Sequence, residues 1–491
     1  MQSKKRKLIE ILDDNLTIQI LGEENREINN LHLDSRKIED GDVYFAIKGY
    51  ATDGHDYIES AIERGAKVIV CSDLGFDFSP DVTVVQVRDT RCSMAKAARN
   101  YYGNPSWDLK LIGVTGTNGK TTVVTLLWQL FTAMGYKVGL ISTVENRIGN
   151  EVLKATHTTP NVIAINALLE KMVDSGCEFV FMEVSSHAID QRRIENIRYT
   201  GSIFTNMSHD HLDYHKTFKE YIWAKKKFFD SLPSEAFAIV NTDDKRGEVM
   251  VQNTKAKIKS YALKSIADYK AKIIDNSVAG LQLLINGNEA HFRLVGEFNA
   301  YNLLAVYGTA IELGFDSIEI LQYLSDITGA DGRFENINVE GCSKIGIVDY
   351  AHTPDALENV LKTLAKVRSN HSNIITVMGC GGDRDVTKRP VMAQVVAKLS
   401  DRFIITSDNP RTENLDKILD DMEAGLSEEM KMKMLRIRDR KNAINTAVKL
   451  AEKNDIILVA GKGHEKYQDI NGVKTPFDDK KVLREAMLEN T

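Results

Sequence analysis

The chain has 491 residues, 43% of them hydrophobic and 27% charged, with a net charge of −6. That length exceeds one ordinary core and points to roughly three domains of 100 to 200 residues, while a weak negative charge without a basic stripe excludes nucleic acid as a partner. No window offers the roughly 20 uninterrupted apolar residues of a membrane span, the start "MQSKKRKLIEILDD" lacks the apolar core of a signal peptide, and Cys71, Cys92, Cys177, Cys342 and Cys380 form no C-x-x-C pair, so the expectation is a cytoplasmic chain with no membrane insertion, disulfide framework or zinc ribbon.

The first hundred residues carry short strands at "GDVYFAIKG", "AKVIVCS" and "VTVVQV" and a helix ending near "ARNYYGNP", where Asn104-Pro105 marks a boundary. Then "LKLIGV" reads as a buried strand; Val123, Leu126, Leu127, Leu130 and Met134 fall on one helical face, and "GYKVGLIST" restores strand character. Further strands follow at "CEFVFMEV", "TGSIFTN" and "AFAIVN". After "GRFENINVEG" a second series begins, with "KIGIVDY", "NIITVMG", "RFIITSD" and "DIILVAG" alternating with helices such as 354–368. The predicted fold is α/β in three domains near 1–106, 107–335 and 336–491: a smaller N-terminal α/β domain, a central P-loop ATPase-like domain with a mainly parallel sheet, and a C-terminal Rossmann-like domain.

Between the first strand and helix of the central unit lies "GVTGTNGKTT". Successive N–H groups from Gly116 through Thr117, Asn118 and Gly119 to Lys120, Thr121 and Thr122 can form an anion nest capped by a helix N-terminus. Lys120 is placed to reach terminal phosphates and Thr121 to hold Mg²⁺. The strict P-loop has glycine where Val114 stands. In "MEVSSH", Glu183 ends a predicted strand and can hold a metal facing this loop, although a capped or solvated glutamate has the same signature. "HDHLDYH" packs His209, Asp210, His211, Asp213 and His215 into seven residues; without thiolates, a His assisting Mg²⁺ fits better than zinc, and a polar loop with capping aspartates remains open.

"TGTNGKTT", "EVSSHAIDQRR", "HDHLDYH", "EYIWAKKKFF", "GEFNAYNLLA", "GRFE", "DYAHTPDAL", "GCGGDRD", "DNPR" and "GKGHE" occur in that order, and together they resemble the Mur ligase family, which adds amino acids to peptidoglycan precursors. The family loop also lacks glycine at the place of Val114. The resemblance implies that Lys120 and Thr121 serve ATP and Mg²⁺, that Glu183 and His211 are metal ligands, and that Lys225 is carbamylated and joins the metal site; from the residues alone Lys225 belongs to a solvated helix face. Asn299, Asn302, Arg333, Asp349 and His352 are implied nucleotide contacts. In the first domain Asp34, Ser35, Lys48, Gly49 and His55 resemble uridine-nucleotide contacts, and Thr158, Thr159, Ser185, Gln191 and Arg193, with "HTTP" at 157–160, resemble contacts to the muramoyl peptide; a surface hairpin and helix caps are the alternative readings of these residues.

The third domain carries the specificity. Asp408, Asn409, Pro410 and Arg411 ("DNPR"), with Arg384, Gly461 and Glu465, match the branch that adds meso-diaminopimelate, whose distal carboxylate suits a bidentate arginine. Arg411 as a structural ion-pair partner is the competing reading. The implied substrates are UDP-MurNAc-L-Ala-D-Glu, meso-diaminopimelate and ATP, handled by a monomer. A lysine-adding ligase of the same family and a nucleotide-switched binding protein are the rivals.

Overall fold

The computed structural model describes residues 5–49, 52–155, 157–208, 210, 212–369 and 371–490, with backbone alone for 212 and 213. Three α/β units follow one another along the chain. In the first, four strands run parallel in the order Leu31–His32, Val43–Phe45, Val68–Cys71, Thr83–Val87, and Thr17–Leu21 closes the far edge antiparallel. Their central strands are apolar runs buried on both faces, as a helix-covered parallel sheet requires. The helix Thr90–Tyr101 is capped by Asp89, whose carboxylate accepts from Arg91 N and Cys92 N. Asn104 then takes φ 59 and Pro105 opens a short turn into the next unit.

The second unit is an eleven-stranded sheet. Its parallel part runs Val138–Ile141, Phe179–Glu183, Lys110–Thr115, Gly201–Phe204, Phe237–Asn241, Lys257–Ala262 and Tyr269–Ser277. Antiparallel hairpins extend both edges, Glu145–Ile148 with Glu151–Lys154 on one side and Gly280–Ile285 with Asn288–Phe292 on the other. The chain leaves the central strand Lys110–Thr115 to build outward in both directions. Its carboxyl end is therefore a topological switch point, the place where α/β sheets bind ligands. Val114 lies within this strand, fully buried and paired with Glu183 and Ile203. A glycine there would weaken a core strand and add nothing to the loop, which begins only at Gly116.

The third unit has six strands in the order Glu335–Ile337, Ile345–Asp349, Ile456–Ala460, Ile374–Met378, Arg402–Ile405, Met434–Arg436; the first is antiparallel to its neighbour and the others are parallel. Separate apolar clusters cover its two faces. The predicted helix after Ile345–Asp349 spans Pro354–Val367, with Thr353 Oγ1 accepting from Ala356 N and proline at the first turn.

Candidate active site

At the carboxyl end of Lys110–Thr115 the loop turns sharply. Gly116 takes φ +150°, and a Cβ there would sit 1.9 Å from Thr205 Oγ1, so the backbone can lie against the neighbouring strand only without a side chain. That strand fixes the loop. Thr117 N donates to Asn206 O at 2.8 Å, Asn118 N donates to Asn206 Oδ1 at 3.0 Å, and Asn118 O accepts from Thr205 Oγ1 at 2.6 Å. The helix Lys120–Ala133 then starts with its amides directed at the loop. Lys120 Nζ donates to Gly116 O at 2.9 Å and to Thr117 O at 2.8 Å, and Lys225 Nζ donates to the same Gly116 O at 2.8 Å.

Two amines thus share one carbonyl. Burial holds both below the usual lysine range; Lys225 is displaced further, with the Lys120 charge as the second cause, while Glu183 and Asp210 pull Lys120 upward. Glu183, fully buried, ends its strand beside the loop and accepts from Thr143 N at 2.8 Å and Thr143 Oγ1 at 3.2 Å. Thr143 Oγ1 also lies 3.1 Å from Thr158 Oγ1, and Thr159 Oγ1 donates to Glu183 O at 2.8 Å. Ser185 N donates to Thr159 Oγ1 at 3.0 Å. Arg193 NH1 donates to Thr159 O at 3.0 Å while its Nε donates to Gln191 Oε1 at 2.9 Å. The residues expected at the muramoyl peptide therefore form one connected patch next to Glu183. His211 lies outside the described residues.

The other nucleotide candidates converge on the loop from two directions. Asn302 comes from the helix Glu297–Glu312: its Oδ1 would meet a Cβ on Gly119 at 2.7 Å, and its Nδ2 donates to Asn299 Oδ1 at 3.0 Å. Arg333 arrives through the connection to the third unit and donates from NH2 to Thr121 Oγ1 at 3.3 Å. Asp349 holds that connection by accepting from Phe334 N at 2.6 Å, and accepts from Ala351 N at 2.7 Å. Burial pushes its carboxyl up, against the opposing pull of Arg333. His352 Nδ1 lies 2.9 Å from Tyr350 O. Asn118 Nδ2 donates to Asp355 Oδ2 at 3.2 Å and Lys388 Nζ lies 3.6 Å from Asp210 Oδ1, so the third unit touches the phosphate loop side of the second.

Across this cleft two strand-end loops of the third unit bring together a second cluster of polar side chains. Asn409 Nδ2 donates to Glu465 Oε2 at 2.8 Å, and the fully buried Lys462 donates to Asn409 Oδ1 at 2.9 Å with Glu465 Oε2 at 3.3 Å and Asp408 Oδ1 at 3.9 Å. Gly461 lies against Asp408 Oδ2, and Pro410 is buried. Arg411 NH1 donates to Gly382 O at 2.6 Å and lies beside Gly381, which Arg384 also flanks. Arg411 itself takes φ 52, held by N donating to Asp469 O at 3.0 Å and by its O accepting from Asn471 N at 2.8 Å. Arg440, fully buried, pairs with buried Asp479 at 2.7 Å and donates to Ser407 O and Ala460 O, tying together the starts of both pocket loops. Lys462 lies within the motif GKGHE, where only its neighbours Gly461 and Glu465 carry an expected role; Thr143 and Arg440 carry no signal in the sequence.

The first-unit candidates form their own surface group. Asp34 pairs with Arg36 at 2.9 Å and Ser35 is buried. His55 Nδ1 lies 2.7 Å from Asp53 Oδ1, and its Nε2 faces Ser72. Lys48 bridges to Asp53 and its O accepts from Arg91 NH2, and Gly49 N donates to Thr52 O at 2.9 Å. Arg192, next to Arg193, pairs with Asp89 at 2.8 Å, which joins the first unit to the patch beside Glu183. Contacts of Asp34, Ser35, Lys48, Gly49 or His55 with the phosphate loop are absent among the described residues.

A phosphate loop at the switch point of a parallel sheet, joined by an arginine from the connection to a following α/β unit, is the layout of a P-loop enzyme working across a domain cleft. Family models extend this assignment: one for the Mur ligase family catalytic domain matches residues 27–102, one for the Mur ligase middle domain matches 114–310, and one for the Mur ligase glutamate ligase domain matches 332–463. The chain belongs to the Mur ligase family. It is 52% identical over 471 residues, 96% of each chain, to the UDP-N-acetylmuramoyl-L-alanyl-D-glutamate–2,6-diaminopimelate ligase of Cytophaga hutchinsonii. It is 52% identical over 480 residues to the same-named ligase of Bacteroides fragilis, covering 98% of this chain and 99% of that one. A solved structure of a ligase of that name superposes with a TM-score of 0.69 at 33% identity, covering 99% of both chains.

Proposed function

We propose that this chain is the ATP-dependent ligase that adds meso-2,6-diaminopimelate to the D-glutamyl γ-carboxylate of UDP-MurNAc-L-Ala-D-Glu in peptidoglycan precursor synthesis. The observation that carries the choice of amino acid is the placement of Arg411 and Arg384 about one glycine loop, beside the Asn409, Glu465 and Lys462 array. The Arg411 guanidinium, with Arg384 alongside, suits a carboxylate at one end of the diamino acid, and the carboxylates Glu465 and Asp408 suit an ammonium group nearby.

An amine does not displace oxide from a carboxylate, so ATP supplies a leaving group. A γ-carboxylate oxygen attacks the γ-phosphorus and ADP departs; the diaminopimelate amine then attacks the acyl carbon, phosphate departs, and the amine loses a proton. Lys120 and the loop amides balance charge on the transferred group, and Arg333 adds a cation from the connection between the second and third domains. The Thr158, Thr159, Ser185, Gln191 and Arg193 patch presents the peptide end beside Glu183. Closure of the third domain keeps water from the acyl phosphate.

Thr121 and Glu183 offer a hydroxyl and a buried carboxylate, hard oxygen donors that fit Mg²⁺. Lys225 as an amine is a donor and does not fit, whereas its carbamate would be anionic and would; the lowered proton affinity of its buried amine favours the neutral form that adds carbon dioxide. Bound there, Mg²⁺ would neutralise phosphate charge. We assign His211 to the same site from the family pattern. Both half-sites come from one chain, which supports action as a monomer, and the soluble substrates support a cytoplasmic setting. Among the described residues no helix is long and apolar enough to cross a membrane.

The test is phosphate release with Mg-ATP and UDP-MurNAc-L-Ala-D-Glu, comparing meso-diaminopimelate with L-lysine and weighing the product by mass spectrometry. Amide product with diaminopimelate alone is expected. Preference for lysine would overturn the specificity, and no amide product with either would overturn the ligase reading.

A further inference from the structure

Tyr350 stands where the two half-sites meet. It follows the strand Ile345–Asp349, and three side chains lie against its ring. The Arg333 guanidinium lies 4.4 Å from the ring centroid, the His352 ring 4.7 Å away and the His464 ring 5.0 Å away. Arg333 is the group that reaches Thr121 Oγ1 in the phosphate loop. His464 lies in the sequence between Lys462 and Glu465, two residues of the Asn409 array. The backbone brings these pieces together by close approach: Gly332 takes φ +64°, and a Cβ on it would lie 2.1 Å from His464 N and 2.2 Å from Gly463 C. A Cβ on Gly463 would lie 2.7 Å from Tyr350 Cβ. The connection carrying Arg333, the strand end carrying Tyr350 and the turn carrying His464 are therefore packed too tightly to move independently. The phenol is pushed up to about 12 by burial and by the negative field of Glu465, so it stays protonated at neutral pH while facing that field.

We propose that Tyr350 is a positioning residue that couples the two half-sites: the amino acid, bound against Glu465 and the turn of His464, fixes the tyrosine ring, and the ring fixes the Arg333 guanidinium at the phosphate loop. The proposal rests on the assignment of the two half-sites given above. It explains how ATP could be committed only when the amine acceptor is present, because the arginine that completes the phosphate site rests on a ring shared with the acceptor pocket. A cation held over an aromatic face is worth roughly 2- to 30-fold in an equilibrium constant, and coupling is reciprocal between the two ligands.

The experiment measures binding of Mg-AMPPNP to the full-length chain, saturated with UDP-MurNAc-L-Ala-D-Glu, with and without meso-diaminopimelate, and then binding of meso-diaminopimelate with and without Mg-AMPPNP. In the wild type each ligand is expected to tighten the other by the same factor, about 10-fold. Tyr350→Phe keeps the ring and should keep the factor within about twofold, whereas Tyr350→Leu should reduce it to below about twofold. His464→Leu breaks the path from the other side and should do the same, which covers a Tyr350→Leu chain that fails to fold. A wild type without coupling, a leucine variant that retains it, or a phenylalanine variant that loses it would each overturn the proposal. Amide formation by the wild type is scored separately by mass, so failure of the ligase reading is told apart from failure of the coupling.

Discussion

Replacing Arg411 by alanine removes the guanidinium while leaving the backbone problem unchanged, which makes it a clean probe of the amino-acid pocket. The residue sits at φ 52, a conformation that costs alanine and arginine alike, and its N and O stay bonded to Asp469 and Asn471. One terminal nitrogen is engaged by Gly382 O at 2.6 Å, which leaves the remaining guanidinium edge for a carboxylate. Hydrogen bonds to charged groups contribute about 1.5–3 kcal/mol each, so losing the pair should cost about 3 kcal/mol or more. At about 1.4 kcal/mol per tenfold, KM for meso-diaminopimelate should rise by about 100-fold. The KM values for ATP and for UDP-MurNAc-L-Ala-D-Glu should stay within about twofold, because Arg411 touches neither half of that site. Arg411→Lys should recover part of the loss, a point charge replacing a planar fork. Steady-state kinetics with each substrate varied in turn is the assay. A diaminopimelate KM within about threefold of wild type in Arg411→Ala would refute the assignment, and an equal rise in all three KM values would show a general structural effect instead.

Arg440→Met should destabilise the chain by about 3–5 kcal/mol, since it strands the buried Asp479 carboxylate. Adding Asp479→Leu should restore most of that stability in urea unfolding but leave the diaminopimelate KM raised, because Ser407 O and Ala460 O still lack their donor. His464 is pushed down to about 4 by burial, so the folded chain binds fewer protons there than the unfolded chain, whose histidine titrates near 6.5. Its contribution is complete above pH 6.5 and lost as pH falls towards 4; about 2 kcal/mol should be gone by pH 5. His464→Gln should lack that loss when urea midpoints are compared at pH 7.5 and pH 5, and parallel curves for the two chains would count against it. ¹³C-labelled bicarbonate should give a carbamate resonance in the wild type that is missing from Lys225→Arg; its absence from both would remove Lys225 from the metal site.

What the sequence made legible was local. The phosphate loop, the strand that feeds it and the helix that follows are contiguous, and each has its own pattern: an apolar run, glycines before Lys120 and Thr121, and a helical stripe. Two hairpins carry local signals of their own, which are turns and not buried apolar runs. Asn286-Gly287 joins Ile285 to Asn288 and Asn471-Gly472 joins Ile470 to Val473, both with positive φ at the two central residues, the conformation that Asn-Gly turns favour. The second of these hairpins supplies Asp469 and Asn471 to hold the Arg411 backbone.

The groups that escaped the sequence are those whose meaning lies in a partner far along the chain. Arg440 and Asp479 are charged residues in helices, which by composition belong on a surface; only the fold shows that both are buried and that the pair braces two pocket loops. Tyr350 reads as one more aromatic beside a strand, and the contacts that set it apart come from Arg333 and His464, brought close by two glycines 131 residues apart, Gly332 and Gly463. Motifs name the atoms that touch ligands because those atoms recur in order. The residues that make two motifs act together are selected by packing, and packing is invisible until non-neighbours meet. In this chain the two cases share one physical form: one side chain touches two segments far apart in sequence, the buried Arg440 at Ser407 and Ala460 and the half-buried Tyr350 at Arg333 and His464, so the placement of each segment depends on a residue outside it.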